Sequence, residues 1–340
     1  MTKTVSIVIP CRNEENFIGK CIDSFMVQSY PKELLTVVVA DGMSTDNTRD
    51  IIEKHKEKYG NIILVDNIEF TAPKGMNKGI KATNSDIVII FGAHSFADKD
   101  FVLENVKALE NEEIACCGGP IETINDSDKG AAIGLAMSCP FGVGNALFRF
   151  ADKETFVDTV AFGAYRREVL DEIGLFDEEL TRNQDDELNM RVTKANKKIL
   201  LTPKVKSTYY SRASFKKLWK QYFQYGFWKV RVIQKHKKPA AIRHLIPLLF
   251  VLYLIGGSVL SLFFKPIRIL FFGILALYLL LDICFAVKIS RNQKLKCIPY
   301  IIITFPLLHI SYGLGFILGI WNFYIVKSKN IVKNNTDMSR

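Results

Sequence analysis

Several apolar runs of the sequence are followed by polar residues that could bind a charged ligand. Carboxylate and amide oxygens can accept hydrogen bonds from a nucleobase or from ribose hydroxyls, and lysines and backbone N–H groups can hold a diphosphate. The sequence offers four such sets, which together suit a polar ligand that carries phosphate. They are Pro10, Arg12, Asn13 and Glu14; Asp41, Ser44 and Asp46; Lys74, Asn77 and Lys78; and Gly92, Ala93 and His94.

A fifth cluster, Gln184-Asp185-Asp186-Glu187, is rich in carboxylates. Neighbouring like charges favour the protonated form of a carboxyl group, and a carboxylate tuned in this way can take a proton from a substrate. A charged first turn of a helix explains Asp186 and Glu187 well, but it explains Asp185 less well. The cluster is therefore a candidate source of a general base.

The elements that must position these residues follow from hydrophobic periodicity. Four β-rich runs predict strands, and segments with helical periodicity separate them, which predicts an α/β fold with a doubly wound, mainly parallel sheet. The carboxyl ends of parallel strands open on one edge, where such sheets bind ligands. Residues 162–180 are predicted to form a loop and a short helix. The predicted strands are 4–9, 34–40, 61–65 and 86–91, and the predicted helices begin near 18, 45 and 73.

Taken singly, these sets have ordinary explanations. Asp41-Gly42 is typical of a turn, Asp46 of a helix cap, and Lys74 and Lys78 of a solvated helix face. Their convergence on one sheet edge is what favours a ligand site. The sequence has neither GxGxxG after the first strand nor GxxxxGK[ST], which argues against a Rossmann dehydrogenase and a P-loop enzyme.

The last third of the chain is apolar enough to cross a membrane. Residues 244–264 and 267–287 are each near the roughly 20 residues that a spanning helix needs. The segment 297–326 is too long for one upright helix. Pro306 and the glycines after it are compatible with either a tilted helix or a broken hairpin.

The net charge of +10 is unevenly distributed, because no Asp or Glu occurs between Glu187 and Asp282. Basic residues beside spans indicate the cytosolic side and explain this charge without nucleic acid, which we do not expect as a partner.

No signal peptide is recognisable at the N-terminus, so we expect residues 1–240 in the cytosol. Seven scattered cysteines predict reduced thiols that mainly pack, with Cys116 and Cys117 inside a strand.

Residues 213–240 form a separate region in this interpretation. The aromatic residues Phe215, Trp219, Tyr222 and Phe223 share one face of a basic helix, which predicts a helix in the membrane interface. An ordinary amphipathic helix packed on the protein is the alternative. The predicted domains are 1–212, 213–240, 241–327 and a basic tail, 328–340.

At this point the sequence resembles a known family. Three segments resemble those of inverting family 2 glycosyltransferases with the GT-A fold, over roughly residues 4–235, and the resemblance is strongest to bacterial exopolysaccharide transferases of the succinoglycan-biosynthesis type. Three positions depart from the family pattern, since Ala40, Gly92 and Gln184 stand where it has carboxylates. The segments are SIVIPCRNEENFIGKCIDSF (6–25), VVVADGMSTDNT (37–48) and KGMNKGIKATNSDIVIIFGAHS (74–95).

The resemblance implies a role for each set. Asp185 would be the catalytic base, and His94 would contact a divalent cation, Mn²⁺ or Mg²⁺, without a carboxylate at Gly92. Residues 120–165 would form a loop on the acceptor side. The nucleotide-sugar site would comprise Pro10, Arg12, Asn13, Glu14, Asp41, Ser44, Asp46, Lys74, Asn77, Lys78 and Ala93, and the acceptor side Gly163, Ala164, Asp186 and Gln221.

The function so implied is that of a multi-pass enzyme of the cell (inner or plasma) membrane with a cytosolic catalytic domain. It would move one sugar from a UDP-sugar donor to a polyprenyl-diphosphate-linked glycan in exopolysaccharide or other cell-surface polysaccharide biosynthesis. The absence of Arg-Trp after Gln221 argues against a processive synthase. The alternatives are transfer to a polyprenyl phosphate or another membrane lipid, and a non-catalytic relative that binds a sugar nucleotide.

Overall fold

The computed structural model describes residues 3–125, 127–210, 213–239, 241–291 and 295–336. These residues form two compact units. The first lies within Met1–Glu122 and Leu147–Tyr210, and the second within Thr123–Ala146 and Ser211–Arg340. The predicted domain limits at 212 and 240 lie outside the described residues, as do residues 337–340 of the predicted tail.

The first unit is built on a mixed sheet with the strand order β3-β2-β1-β4-β9-β6-β10-β8. The strands β1 to β4 run parallel to one another, and β9 lies antiparallel between β4 and β6. The prediction of a mainly parallel sheet is thus confirmed. The strands are β1 Val5–Cys11, β2 Leu35–Asp41, β3 Ile62–Asp66, β4 Ile87–Ile90, β5 Ser95–Ala97, β6 Ile114–Gly119, β7 Ile121–Ile124, β8 Thr155–Phe156, β9 Ala161–Arg166, β10 Lys198–Leu201 and β11 Ser207–Tyr210.

Helices cover the sheet of the first unit and make up most of the second. Their apolar faces follow the sequence periodicity: α1, for example, buries the i, i+3, i+4, i+7 positions that begin at Ile18. The helices are α1 Ile18–Met26, α2 Thr48–Tyr59, α3 Ala72–Lys81, α4 Phe101–Ala108, α5 Asp128–Met137, α6 Pro140–Val143, α7 Arg167–Ile173, α8 Gln184–Lys194, α9 Phe215–His236, α10 Ile246–Phe263, α11 Lys265–Ser290, α12 Ile298–Ile320 and α13 Lys329–Asn334.

The structure differs from the sequence-based prediction at β9. The sequence FGAYR was expected to be a loop, but it forms a strand in which Ala164 is paired with Ile89 on one side and with Cys117 on the other. Neighbouring strands on both edges of β9 supply its hydrogen bonds, which local composition does not reveal. The prediction that Cys116 and Cys117 lie in a strand is confirmed by β6.

The segment 123–146, expected to be part of an acceptor-side loop, instead contributes two helices to the second unit. Small residues of α5 pack into an apolar cluster with α12, and the thiol of Cys297 donates to the Asp128 carbonyl at 3.5 Å. His309 of α12 contacts the carbonyl of Phe141 in α6 at 2.9 Å. The segment is helical because the apolar helices bury it.

The basic aromatic helix α9 packs closely along α12. Gly226 of α9 lies against the Tyr312 carbonyl, and Gly315 of α12 lies against the Phe223 carbonyl, so a side chain at either glycine would overlap backbone. Small residues at such a crossing allow two helices to approach closely. The aromatic side chains Tyr222, Phe227 and Trp228 are buried in the second unit. Location of α9 in a membrane interface stays a prediction.

Three helices of the described residues are long and apolar enough to cross a membrane. They lie within Ile242–Phe263, Lys265–Ser290 and Leu295–Val326. The third is a single helix that contains Pro306 and continues as a π-helix from Trp321 to Val326. It is also more covered by protein than the other two. In its apolar 18-residue stretch 44% of the residues are buried, against 17% in the corresponding stretch of each of the others.

Candidate functional site

The carboxyl ends of β1 and β2 lie side by side, with Cys11 paired to Asp41 in the parallel register. The Asp41 side chain is fully buried, so its charge needs partners inside the protein. It accepts hydrogen bonds from the Ser44 amide at 3.0 Å, from the Ser44 hydroxyl, and from the Arg49 guanidinium at 2.8 Å. Asp41 is therefore a rigidly held acceptor at the edge of the sheet.

Arg49 extends this arrangement to the end of β3. Its guanidinium contacts Asp66 at 2.8 Å as well as Asp41. The hydrogen bonds to Asp41 and to Asp66 raise the pKa of Arg49 above its ordinary value, so it stays a cation. Sequence reasoning missed Arg49, although a cation in the first turn of a helix is unfavourable for the helix dipole and could have signalled a buried acidic partner.

The loop after β1 is joined to the loop after β2 through Asn13. Its backbone has φ of 56°, a left-handed conformation that asparagine tolerates better than most residues. The Asn13 amide donates to the Ser44 hydroxyl at 2.8 Å, and the Thr45 amide donates to the Asn13 side-chain oxygen at 2.9 Å. Two residues that the sequence assigned to the nucleotide site, Asn13 and Ser44, are thus in direct contact.

Asp46 makes a second link between the same two loops. Its carboxylate accepts from the Glu15 amide at 3.3 Å and from the Thr48 amide at 3.0 Å. Burial alone would raise the pKa of Asp46, but the hydrogen bonds from Thr48 and Glu15 outweigh it and lower the pKa. Asp46 therefore binds the first residue of α2, Thr48, and holds the two loops together.

Arg12 and Pro10 flank this loop pair. Pro10 lies in β1 opposite Ala40, so the proline at the strand end faces the position where the family pattern has its first aspartate. The Arg12 guanidinium stacks on the Phe70 ring, with its carbon 4.6 Å from the ring centroid. This stacking keeps the charged group at the same end of the sheet as Asp41.

The predicted residues of α3 differ in their surroundings. Lys78 donates to Glu69 at 2.6 Å and lowers the pKa of that carboxyl group. Asn77 is buried, and its amide group exchanges hydrogen bonds of 2.9 and 3.0 Å with the Phe176 backbone. Lys74 is half-buried near the N-terminus of the helix. The structure thus gives Asn77 a packing contact, while Lys74 and Lys78 remain candidates for a phosphate.

The space beside Gly92 is occupied by an aromatic ring. A Cβ built on Gly92 would lie 3.1 Å from the Phe162 ring and 3.3 Å from the Ser95 hydroxyl. Phe162 is in turn held against Phe91, with ring centroids 4.5 Å apart. Ala93, the next residue, has no exposed surface. The ring of Phe162 therefore fills the room that a longer side chain at 92 would need.

His94 lies between a carboxylate and an aromatic ring. Its Nδ1 is 3.6 Å from Glu14 Oε1, and its ring meets the Tyr209 ring edge-on at 5.0 Å between centroids. The side chain of Glu14 is 6% exposed and that of His94 17% exposed. Sequence reasoning assigned both residues to the site but could not predict that they touch.

The side-chain donors here fit a divalent cation whose coordination is completed by phosphate oxygens of a bound nucleotide and by water. No group of three or more His, Cys, Asp or Glu converges on a metal position in the described ranges. Divalent ions at diphosphates are commonly held by one or two side chains together with phosphate oxygens and water. His94 supplies such a side-chain donor, and an imidazole nitrogen suits Mn²⁺ better than Mg²⁺.

The predicted base, Asp185, lies in the first turn of α8. Asn183 precedes the helix with φ of 59°, and the Asp186 amide donates to Asp185 Oδ1 at 2.9 Å. The Asp185 side chain is exposed, whereas Gln184 Oε1 is buried with no hydrogen-bond partner among the described residues. Asp185 is thus the member of the pair that a substrate can reach.

The last carboxylate of this cluster has a structural role. Glu187 is 4% exposed and receives the Arg191 guanidinium on both of its oxygens, at 3.0 and 2.8 Å. The same guanidinium donates to the carbonyls of Ile173 and Leu175 at 2.7 and 2.6 Å. Glu187 and Arg191 therefore fix the loop after α7 against α8.

A buried hydrogen-bond chain lies behind Asp185, and sequence reasoning did not identify it. The Tyr165 hydroxyl donates to Asn189 at 2.9 Å, and the Asn189 amide donates to the Thr159 hydroxyl at 2.9 Å. Burial, and then the neighbouring Cys116 and Asp185 side chains, raise the pKa of Tyr165. The chain joins β9 to α8 and sets the position of the helix that carries Asp185.

The predicted acceptor-side residues are not equivalent. Ala164 is fully buried within the sheet, and Gly163 beside it lies against the Tyr165 ring. Asp186 is partly exposed in the first turn of α8, in the first unit. Gln221 belongs to α9 of the second unit, where its amide donates to the Tyr225 hydroxyl at 2.6 Å.

Comparison with known proteins identifies several relatives, and two of them match this chain over most of their own length. The chain is 35% identical, over 68% of its own length and 74% of the relative's, to a dolichyl N-acetyl-alpha-D-glucosaminyl phosphate 3-beta-D-2,3-diacetamido-2,3-dideoxy-beta-D-glucuronosyltransferase of Methanococcus voltae. It is 28% identical to the succinoglycan biosynthesis protein ExoA of Rhizobium meliloti (strain 1021), over 73% of the chain and 76% of that protein.

Solved structures share the fold. The mannosyltransferase PcManGT of Pyrobaculum calidifontis, in complex with GDP-Man and Mn²⁺, superposes with a TM-score of 0.65 over 95% of this chain and 88% of that one, at 18% identity. This similarity establishes a GT-A fold, which in this chain is followed by apolar helices. The family model described as glycosyl transferase family 2 matches residues 6–174. Together with the Methanococcus relative, this match means that the chain belongs to glycosyl transferase family 2.

Proposed function

We propose that this chain is a membrane-anchored, inverting glycosyltransferase that moves one sugar from a UDP-sugar to a lipid-linked sugar. The observation that carries the proposal is the pair of hydrogen-bonded loops after β1 and β2, which hold the buried carboxylate of Asp41 at the carboxyl edge of the sheet. Rigid acceptors at this edge suit the base and ribose of a nucleotide.

The donor contacts divide by chemistry. The loops that Asp41 holds in place would offer hydrogen-bond donors and acceptors to the nucleoside, and Arg12, Lys74 and Lys78 would supply positive charge for the diphosphate. A divalent cation, which His94 would hold, neutralises the charge of the departing diphosphate when it is bound. Mn²⁺ is favoured over Mg²⁺ by the imidazole ligand.

Asp185 is the general base of this proposal. The acceptor hydroxyl gives its proton to the Asp185 carboxylate while its oxygen bonds to the anomeric carbon, and the bond from that carbon to the diphosphate oxygen breaks in the same step. The electron pair leaves with UDP, and the configuration at the anomeric carbon inverts. The exposed position of Asp185 at the start of α8 leaves it accessible to an acceptor.

A lipid-linked acceptor is supported by two observations. The Methanococcus relative is named for transfer to a sugar carried on dolichyl phosphate. Three helices among the described residues are also apolar enough to span a membrane. With basic residues beside the spans, we propose the cell membrane as the location, a cytosolic catalytic unit, and an isoprenoid phosphate or diphosphate that carries the acceptor glycan.

The test is sugar transfer by the full-length protein in detergent, with a panel of UDP-sugars and GDP-mannose and with lipid extract as acceptor. One sugar should appear on the lipid-linked glycan, and Asp185→Asn should abolish the transfer, while Asp171→Asn on the exposed face of α7 should not. Transfer to bare polyprenyl phosphate would favour the rival acceptor. Nucleotide binding without transfer to any acceptor would favour a non-catalytic relative.

A further inference from the structure

We propose that Glu14 is a positioning residue for His94: its carboxylate orients the imidazole that holds the divalent cation. The inference rests on the proposed function, because the cation acts on a nucleotide diphosphate. It gives Glu14, which the sequence assigned to the nucleotide itself, a different task.

Hydrogen bonds fix the backbones of both Glu14 and His94. The Glu14 amide donates to the Thr48 hydroxyl at 2.8 Å, and the Glu14 carbonyl accepts from the amides of Phe17 and Ile18, where α1 begins. The His94 carbonyl accepts from the Tyr210 amide at 3.4 Å, and Tyr209 stands edge-on to the imidazole. The separation of 3.6 Å between Glu14 Oε1 and His94 Nδ1 is thus set by two anchored backbones, and a small side-chain rotation closes it to a hydrogen bond.

The chemistry of imidazole explains why a carboxylate is needed there. A metal-binding histidine nearly always donates its other ring N–H to a carboxylate, a carbonyl or water, which fixes the tautomer and makes the ligand nitrogen more basic. With Nδ1 directed at Glu14, the nitrogen left for a cation is Nε2. An aspartate at position 94 would need no such support, because a carboxylate has no tautomers. A histidine at 94 therefore creates the requirement that Glu14 meets.

The surroundings of Gly92 point to the same assignment. Gly92 has no side chain and so supplies no negative charge, and the Phe162 ring occupies the space beside it. Glu14, from the loop after β1, is the carboxylate that the structure pairs with His94. Because Glu14 is nearly buried, its charge acts on the imidazole with little screening by water.

The experiment measures Mn²⁺ binding by full-length protein in detergent, with saturating UDP, from the electron paramagnetic resonance signal of free Mn²⁺. Glu14→Gln should weaken Mn²⁺ binding by about 10-fold or more, and His94→Ala should weaken it further. Glu14→Asp, which keeps the charge, should retain more affinity than Glu14→Gln. UDP binding measured in chelator should be the same in all four proteins.

Glu15→Gln is the matched control. Its carboxylate accepts from Asn47, at 3.1 Å from the amide and 2.8 Å from the side chain, and a glutamine oxygen can accept both bonds. Its Mn²⁺ affinity should equal that of the wild type. Thermal unfolding of each variant identifies any loss of fold.

The outcomes separate the two proposals. Unchanged Mn²⁺ affinity in Glu14→Gln would overturn the positioning role, and so would loss of UDP binding in chelator by that variant, which would mean a direct contact with the nucleotide. Wild-type protein that transfers sugar equally well with chelator would overturn this inference alone. Wild-type protein that binds no nucleotide would overturn the proposed function as well.

Discussion

The Phe162 ring lies 3.1 Å from the position that a Cβ would occupy on Gly92. Phe162 has φ of 51°, so the backbone of β9 turns unusually to bring the ring there. The missing carboxylate at 92 is thus accompanied by a ring that fills its place, which makes the glycine and the phenylalanine a matched pair.

Gly92→Asp should destabilise the protein by about 1–3 kcal/mol, because the new side chain overpacks against Phe162. The same substitution should cost less in a Phe162→Ala background, where the ring is gone. Thermal unfolding of the two single variants and the double variant measures this coupling. Additive effects would mean that the two residues do not compete for space.

Asp185→Asn should lower the rate of transfer by at least about 100-fold, because the variant cannot take the acceptor proton. UDP binding should be unchanged, since Asp185 acts on the acceptor. Initial rates and UDP titrations on the same preparation measure both. A loss of UDP binding would assign Asp185 to the donor instead.

Asp41→Asn should cost about 2 kcal/mol, because a buried charge-assisted hydrogen bond to Arg49 is weakened where water cannot replace it. Asp66→Asn removes the other partner of Arg49, but Asp66 is 57% exposed, so its loss should cost less than about 1 kcal/mol. Thermal unfolding of both variants makes the comparison. Equal losses would contradict the assignment of Asp41 as the principal partner.

Gly226→Ala and Gly315→Ala should each destabilise the second unit, because the added methyl group overlaps a backbone carbonyl of the facing helix. Gly256 and Gly273 have nothing within 4 Å of a built Cβ, so alanine there should be neutral or slightly stabilising. The melting temperatures in detergent should separate the two pairs. Similar values for all four would mean that α9 and α12 are less closely packed.

Asp46 gives a test by pH. Its folded pKa is lowered, so its hydrogen bonds stabilise the fold fully above the unfolded pKa, and this contribution is lost as the pH falls through the folded pKa. Wild type should therefore be more stable than Asp46→Asn at pH 7, and the difference should shrink below about pH 4. A difference that does not change with pH would mean that the charge of Asp46 contributes nothing.

Much of the first unit follows from the sequence alone. The apolar runs that end in Cys11 and Asp41 are local signals, and neighbouring parallel strands must bring the residues after them to one edge. The contact between Glu14 and His94 is different, because it depends on how far two loops extend after their strands. Hydrophobic periodicity carries no information about how far a loop extends beyond its strand.

The second unit was harder to predict for a physical reason. The small residues of α5, such as Ala132 and Ala136, give a weak helical pattern, and burial against α12 and other helices makes their face an interface. The predicted aromatic face of α9 has the composition of a membrane-surface helix, yet Tyr222 is covered by protein while Trp219 is 38% exposed. Composition specifies that such a face is buried but not what covers it.

The contact between Cys297 and Asp128 joins positions 169 residues apart in the chain. At ribosomal rates this separation corresponds to roughly 10 to 30 seconds between the synthesis of α5 and that of its partner helix. During that interval the part of α5 that packs against α12 has no α12 to bury it. We therefore expect the catalytic unit to be translated before the insert within it can fold, and the last apolar helix to complete the molecule when it reaches the membrane.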